Sequence, residues 1–307
     1  MPSSNMPILK FIDCPDAINA KSTHRLAYWD WGKANADHVI FCVHGLTRQG
    51  RDFDVLARAL CAANPDVRVV CPDVAGRGQS EWLKDPNAYA LPTYAAEMLV
   101  LLNHLKPKVL DWVGTSMGGL IGMVVTGQAN LPLPVPVRKL VLNDVGPVLE
   151  WVSLVRIGQY LGKYGRFDSE EIAAEALWQI AKGFGPHTPE QWLELTKPSL
   201  RPWIDPATGQ ANGVTLRYDP AIAQPFSLAT EESTKQGEAI LWALYDNIKA
   251  QTLLVRGADS DLLSSATALA MTQRGPKATL VEFAGVGHAP TFVATNQSQV
   301  VVDFLLK

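Results

Sequence analysis

Gly114-Thr115-Ser116-Met117-Gly118 sets a serine between two glycines where an apolar, strand-like run, Val109 to Val113, gives way to a helix-like run, Gly119 to Val125. At such a strand–turn–helix junction a serine takes a strained backbone conformation that holds its hydroxyl clear of both elements, and flanking glycines leave room for the crowded turn. The bland alternative is a small-residue turn that happens to contain serine; the elements on either side favour a nucleophile. A hydroxyl attacks only when a base takes its proton, and that base needs a third group to orient it. Of the six histidines (His24, His38, His44, His104, His187 and His288), only His288 follows a strand-like segment, Thr279 to Phe283, through a glycine-rich loop, Gly285 to Pro290. It is the predicted base.

Candidates for the orienting acid lie on two loops. Thr252 to Arg256 reads as a strand, and Gly257-Ala258-Asp259-Ser260-Asp261 follows it with two aspartates. Asp261 is favoured, because the loop beyond it has space to turn back towards the histidine. Asp259 competes, either as the acid or as a brace of the loop through side-chain-to-backbone hydrogen bonds. Asp144, after the strand-like Lys139 to Leu142, is a third candidate. The charge that develops on a tetrahedral intermediate calls for preorganised donors. The turn supplies the N–H of Met117. The loop His44-Gly45-Leu46-Thr47, after the strand Val39 to Val43, supplies that of Leu46, with Gly45 permitting close approach. His44 reads as a loop-shaping residue, and Arg48 as a solvated loop arginine rather than the partner of a substrate carboxylate.

With Ser116, an acid and His288 in that chain order, and His44-Gly45 ahead of them, the sequence resembles the α/β-hydrolase superfamily over nearly its whole length. Asp73-Val74-Ala75-Gly76-Arg77-Gly78-Gln79-Ser80 looks like the family's Asp-x-x-Gly-x-Gly-x-Ser turn. Arg256-Gly257, Ser260-Asp261 and Gly285 to Pro290 look like a bacterial group of serine esterases with a helical cap. Family members run Ser…Asp/Glu…His. Many hold the acid one residue nearer to the glycine than Asp261 lies to Gly257, which keeps Asp259 open, and some hold it where Asp144 stands. The resemblance implies an α/β fold, with a mostly parallel sheet, helices on both faces and an inserted helical cap. It also implies a carboxylesterase that acts through an acyl-enzyme on short- or medium-chain acyl esters, hydroxyacyl oligomers included, with no metal and no cofactor. Carbon–carbon-bond hydrolases of ring-cleavage products, lactonases, perhydrolases and aminopeptidases share this machinery. Receptor-like homologues that bind ligand and turn over slowly form a different class. Ser116 argues against the haloalkane dehalogenases and epoxide hydrolases, which use an aspartate nucleophile.

The elements that must position these residues follow from composition and periodicity. With 307 residues, 47% apolar and 19% charged, the chain suits one large domain plus an insertion. A net charge of −3 offers no general attraction to nucleic acid or anionic membranes. No apolar run approaches the ~20 residues that span a bilayer, and the amino end lacks a signal-peptide pattern. Cys14, Cys42, Cys61 and Cys71 form no metal-type pair and read as reduced thiols in a cytoplasmic protein. The expected partner is a small-molecule ester; oligomeric state stays open.

Strands are predicted at 38–43, 67–72, 109–114, 137–143, 252–256 and 279–283, behind an opening antiparallel pair, Leu9 to Ile12 and Arg25 to Trp29. About a hundred residues separate Asn143 from Thr252, far beyond the usual connection of roughly 2–6. Within them Asp168-Ser169-Glu170-Glu171, with Asp168 as cap, and Thr188-Pro189-Glu190-Gln191 read as helix starts. Ile172, Ala176 and Ile180 form a helical stripe, and Pro198 to Pro225 reads as irregular. We expect a helical cap at 147–235 inserted into a core of 1–146 and 236–307. Four tryptophans fall in it: Trp151, Trp178, Trp192 and Trp203. Trp151 and Trp203 are the candidate substrate contacts, with ordinary packing as the alternative.

Overall fold

A computed structural model describes residues 6–17, 21–163 and 165–307. The extreme amino end, where no signal-peptide pattern is read, lies mostly outside the described residues. The elements run β1 (Ile8–Pro15), β2 (Thr23–Gly32), β3 (His38–Val43), α1 (Asp54–Ala63), β4 (Val67–Asp73), α2 (Leu91–Leu105), β5 (Val109–Thr115), α3 (Met117–Gly127) and β6 (Val137–Asn143). After β6 come α4 (Trp151–Tyr160), α5 (Glu170–Ala181), α6 (Pro189–Thr196), β7 (Leu200–Ile204), β8 (Ala211–Leu216), α7 (Ala223–Ser227) and α8 (Glu231–Asn247). The chain closes with β9 (Gln251–Gly257), α9 (Ser265–Gln273), β10 (Thr279–Phe283) and α10 (Thr295–Leu306).

Eight strands form one sheet in the order β1-β2-β4-β3-β5-β6-β9-β10. The first two are the antiparallel pair expected from the sequence, with Leu9 opposite Trp29; β2 meets β4 antiparallel, and every pairing from β4 onward is parallel. Parallel strands covered on both faces read as continuous apolar runs. Accordingly Val39 to Val43 and Leu140 to Leu142 are buried throughout. One face packs under α2, α3 and α8, where Met98, Leu101, Trp112 and Ile121 are buried. The other packs under α1 and α10, where Leu56, Leu60, Val301 and Leu305 are buried.

The segment between β6 and β9 departs from expectation in four respects. The tract read as irregular contains an antiparallel hairpin, β7–β8, pairing Leu200 with Leu216. Asp168 does not cap α5: Ser169 does, its Oγ accepting from Ile172 N at 3.3 Å, while Asp168 pairs with Arg166. The expected stripe is not a buried one: Ile172 and Ile180 are about half exposed, while Ala173, Ala174 and Ala181 are buried. Thr188 and Gln191 do form the expected capping box at α6. Helix α8 begins at Glu231 and packs on α3, so a boundary at 235 would divide one continuous helix.

Candidate active site

Strand β5 ends at Thr115 and α3 begins at Met117, leaving Ser116 alone in the turn at φ 52° and ψ −116°. A side chain with positive φ is strained, and the crowding around it explains the glycines. A Cβ on Gly118 would overlap the carbonyl oxygen of Val43, and one on Gly114 would overlap the Gly118 backbone. The turn is tied to the next strand by Ser116 N, which donates to Asn143 O at 2.9 Å. The Ser116 hydroxyl faces His288 Nε2 at 2.9 Å, and His288 Nδ1 lies 2.7 Å from Asp144 Oδ2. Asn143 links this group together, since its Nδ2 donates to Thr115 Oγ1 at 3.0 Å and to Pro290 O, in the histidine loop, at 2.7 Å.

The structure therefore brings Ser116 and His288 together as the sequence predicts, but with Asp144 in place of Asp261. Asp144 is fully buried at φ 55°, directly past β6. Its Oδ1 accepts from Gly257 N at 2.8 Å, and its Oδ2 accepts from Ser260 Oγ at 2.6 Å as well as facing the histidine. Asp261 points away: Arg156 Nε and Nη2 donate to its two oxygens at 2.9 and 3.0 Å, and its side chain is half exposed. Asp259 is exposed too. Strands β6 and β9 are neighbours, so the loops after both reach the histidine, and the loop after β9 supplies donors to the acid instead of the acid itself. Asp144 was legible as an acidic residue at a strand's carboxyl end. Its rank was not, because that depends on which loop turns inward.

Across the turn lies the loop after β3. His44 is fully buried; its Nδ1 faces Gly45 O at 2.7 Å and its Nε2 accepts from Val74 N at 2.9 Å. Burial, reinforced by the Arg77 and Arg48 guanidiniums, pulls its pKa down to about 3. It is a neutral loop brace, as the sequence suggests. Beneath the loop, Arg77 is fully buried. Its Nε donates to Leu46 O at 2.8 Å, its Nη1 to Ala75 O at 2.7 Å and Tyr94 Oη at 2.9 Å, and its Nη2 approaches the Met117 sulfur at 3.7 Å. Among the described residues no carboxylate forms a salt bridge with it. Leu46 and Met117, the two predicted oxyanion donors, thus share a buried cation. Met117 opens α3, so its N–H belongs to the amides a helix start leaves without an intrahelical partner. The role of Arg77 was not read from the sequence, although it sits within the Asp73 to Ser80 turn. Burial pushes the Asp73 carboxyl in that turn up to about 6, against donors from Gln79 N and Gly50 N at 2.8 and 2.6 Å.

Two cavities meet at Ser116, sharing Leu46, Ser116 and Ile157. One, of about 140 Å³, contains His288 and extends past Arg48, Arg156, Tyr160 and Trp192. The other, of about 300 Å³, contains Met117 and extends past Tyr94, Leu120, Leu154 and Phe226. Neither candidate tryptophan lines either cavity. Trp151 borders a separate hollow with Gly158 and Phe226, and Trp203 lies under the Arg166 guanidinium on the β-hairpin. Trp192 takes the place expected of them, anchored by its Nε1 donating to Ala174 O at 2.7 Å and packed edge-on against Trp178. Arg48 is not solvated as expected: its Nε and Nη2 clamp Asp52 at 2.6 and 2.8 Å, and Nη2 also donates to Leu195 O.

Comparison with known proteins is consistent with this geometry. Residues 40–304 match the model of a family described as the alpha/beta hydrolase family. Over 301 residues, 98% of each chain, the sequence is 48% identical to a 3-hydroxybutyrate-oligomer hydrolase of Cupriavidus necator. A hydrolase structure from Rickettsia typhi superposes with a TM-score of 0.84 at 29% identity, covering 97% of this chain and 99% of the other. An alpha/beta hydrolase from Novosphingobium aromaticivorans does so with a TM-score of 0.80 at 30% identity, covering 98% of each.

Proposed function

The chain belongs to the alpha/beta hydrolase family, and from that premise we propose that it hydrolyses carboxylic esters of short hydroxyacyl oligomers through Ser116, His288 and Asp144. The observation that carries this reading is the unbroken hydrogen-bonded chain from the Ser116 hydroxyl through the imidazole to a buried carboxylate. In it, His288 Nε2 takes the serine proton as Oγ attacks the acyl carbon, while Asp144 holds the proton on Nδ1 and stabilises the imidazolium. The amides of Leu46 and Met117 meet the oxyanion, where loss of one such donor costs ~3–4 kcal/mol. The imidazolium returns its proton to the leaving alkoxide, and water repeats the sequence on the acyl-enzyme.

Similarity to the 3-hydroxybutyrate-oligomer hydrolase supports the choice of hydroxyacyl substrate. So does a bipartite cavity, which gives each side of the ester its own space. Residues 147–230, ending ahead of α8, act as the cap in this reading: α4, α5, α6 and α7 contribute Ile157, Leu177, Trp192 and Phe226 to the cavity walls. No helix among the described residues is long and apolar enough to cross a membrane. The buried free thiols Cys14, Cys42 and Cys71 support a reducing, cytoplasmic setting.

The test is to incubate the protein with a 3-hydroxybutyrate dimer and, separately, with a fluorophosphonate. Turnover at ~1–10³ s⁻¹ and stoichiometric labelling of Ser116, both lost in Ser116→Ala, are expected. Labelling without turnover on any ester would make the protein a binder, and turnover surviving Ser116→Ala would remove the serine mechanism.

A further inference from the structure

The two cavities at Ser116 differ in charge. None of the residues lining the larger is charged, whereas the smaller is bordered by two guanidiniums, Arg48 and Arg156, and one carboxylate, Asp52. Arg48 and Asp52 are committed to each other through two hydrogen bonds, with side chains only 14% and 19% exposed. That leaves Arg156 as the cation of the cavity. Its carboxylate partner among the described residues, Asp261, does not line the cavity, and the pair, though bidentate, is open to water, with side chains 40% and 49% exposed. Water screens a pair this exposed, so a second carboxylate in the cavity can compete for the guanidinium.

His288 decides which half of the ester enters which cavity. The proton it carries after the attack must reach the leaving alkoxide, so the leaving group lies on the histidine's side. His288, Ala289 and Pro290 line the cationic cavity and not the apolar one. We propose that the Arg156 cavity is a carboxylate-recognising subsite for the leaving group, so that the preferred substrate releases a hydroxyacid with a free carboxylate. This inference rests on the ester-hydrolase reading above and deepens it. The Ser116 Oγ–acyl carbon bond forms and the ester C–O bond breaks. The alkoxide takes the proton from His288 Nε2, and the departing hydroxyacid keeps its carboxylate against Arg156 while its acyl partner stays on the serine in the apolar cavity. An oligomer is then shortened from its carboxylate end.

The experiment compares three substrates: the linear 3-hydroxybutyrate dimer as free acid, the same dimer capped as its methyl ester, and p-nitrophenyl butyrate. Wild type is expected to favour the acid over the methyl ester by ~10–100-fold in kcat/KM, as for a charge-assisted contact. The preference should lie mainly in KM and shrink with added salt. In Arg156→Gln the ratio should fall to within about threefold of unity, with Arg156→Lys intermediate. Asp261→Asn, which breaks the same ion pair but spares the cation, should keep or raise the preference. A wild-type ratio near one, a preference surviving Arg156→Gln, or a collapse in Asp261→Asn equal to that in Arg156→Gln would overturn the subsite. Turnover of the methyl ester and p-nitrophenyl butyrate with no gain for the acid removes the subsite alone. Inertness towards all three esters removes the hydrolase reading and the subsite with it.

Discussion

The loops that follow β6 and β9 stand side by side at the carboxyl edge of the sheet, and each carries aspartate. After β6, Asp144 is fully buried and takes donors from the Gly257 amide and the Ser260 hydroxyl. After β9, Asp261 is half exposed and paired with a surface arginine. A carboxylate that must hold an imidazole in one tautomer needs a fixed position and low competition from water, and only the first has both. The same division recurs among the cations. Arg77 is buried on neutral acceptors beneath the two proposed oxyanion residues, while Arg156 is exposed and ion-paired at the cavity wall. In the proposed mechanism the buried, backbone-braced groups serve the chemistry, and the exposed pair is the one proposed for recognition.

The sharpest way to break this contrast is to neutralise each aspartate in turn. Asp144→Asn should lower kcat by ~10⁴-fold through the wrong imidazole tautomer, and Asp261→Asn by less than about tenfold. Pre-steady-state rates on p-nitrophenyl butyrate measure both, and the reverse ranking would return the role to the loop after β9. Next in size is the buried cation. Arg77→Met should reduce kcat by ~10–100-fold with little change in KM, because the loop that aims the Leu46 amide loses its anchor. An equal change in KM would mark Arg77 as part of substrate binding instead. Ser260→Ala removes one donor from the proposed triad acid and should cost about tenfold in kcat. No loss would show that the Gly257 amide suffices.

The last expected effect is on stability and grows as the pH falls. His44 has a folded pKa of about 3 against an unfolded value of ~6.5. In that window the unfolded chain binds a proton that the folded one refuses, so stability present above about pH 6.5 is lost as the pH falls towards 3. Relative to His44→Gln, wild type should lose up to ~1.4 kcal/mol per pH unit across that window. Parallel denaturation curves at pH 7 and pH 5 would show that His44 is not held neutral.

The elements that carry the proposed nucleophile and base were legible because their signals are local. A glycine two residues either side of Ser116 answers steric overlap within one turn and the strand beside it, and the glycine-rich loop before His288 follows its own strand directly. The β7–β8 hairpin was hidden by prolines and glycines that read as breakers, since its stability comes from pairing Leu200 with Leu216 across the intervening turn. Trp192 was counted among the cap tryptophans but could not be ranked over Trp151, because side-chain direction within a packed helical layer is set by its neighbours.

By itself the sequence determined the chain order of the strands in the main sheet, the serine between its glycines, and the histidine that reaches it, all from patterns that span a few residues. Only the tertiary structure decided which carboxylate faces that histidine, which arginine is buried, and which aromatic walls the cavity. Two loops on adjacent parallel strands end at nearly the same place, and the choice between their aspartates falls to whichever backbone turns inward and meets buried donors. That is a relation between residues 113 positions apart, Asp144 and Gly257, and no local pattern records it.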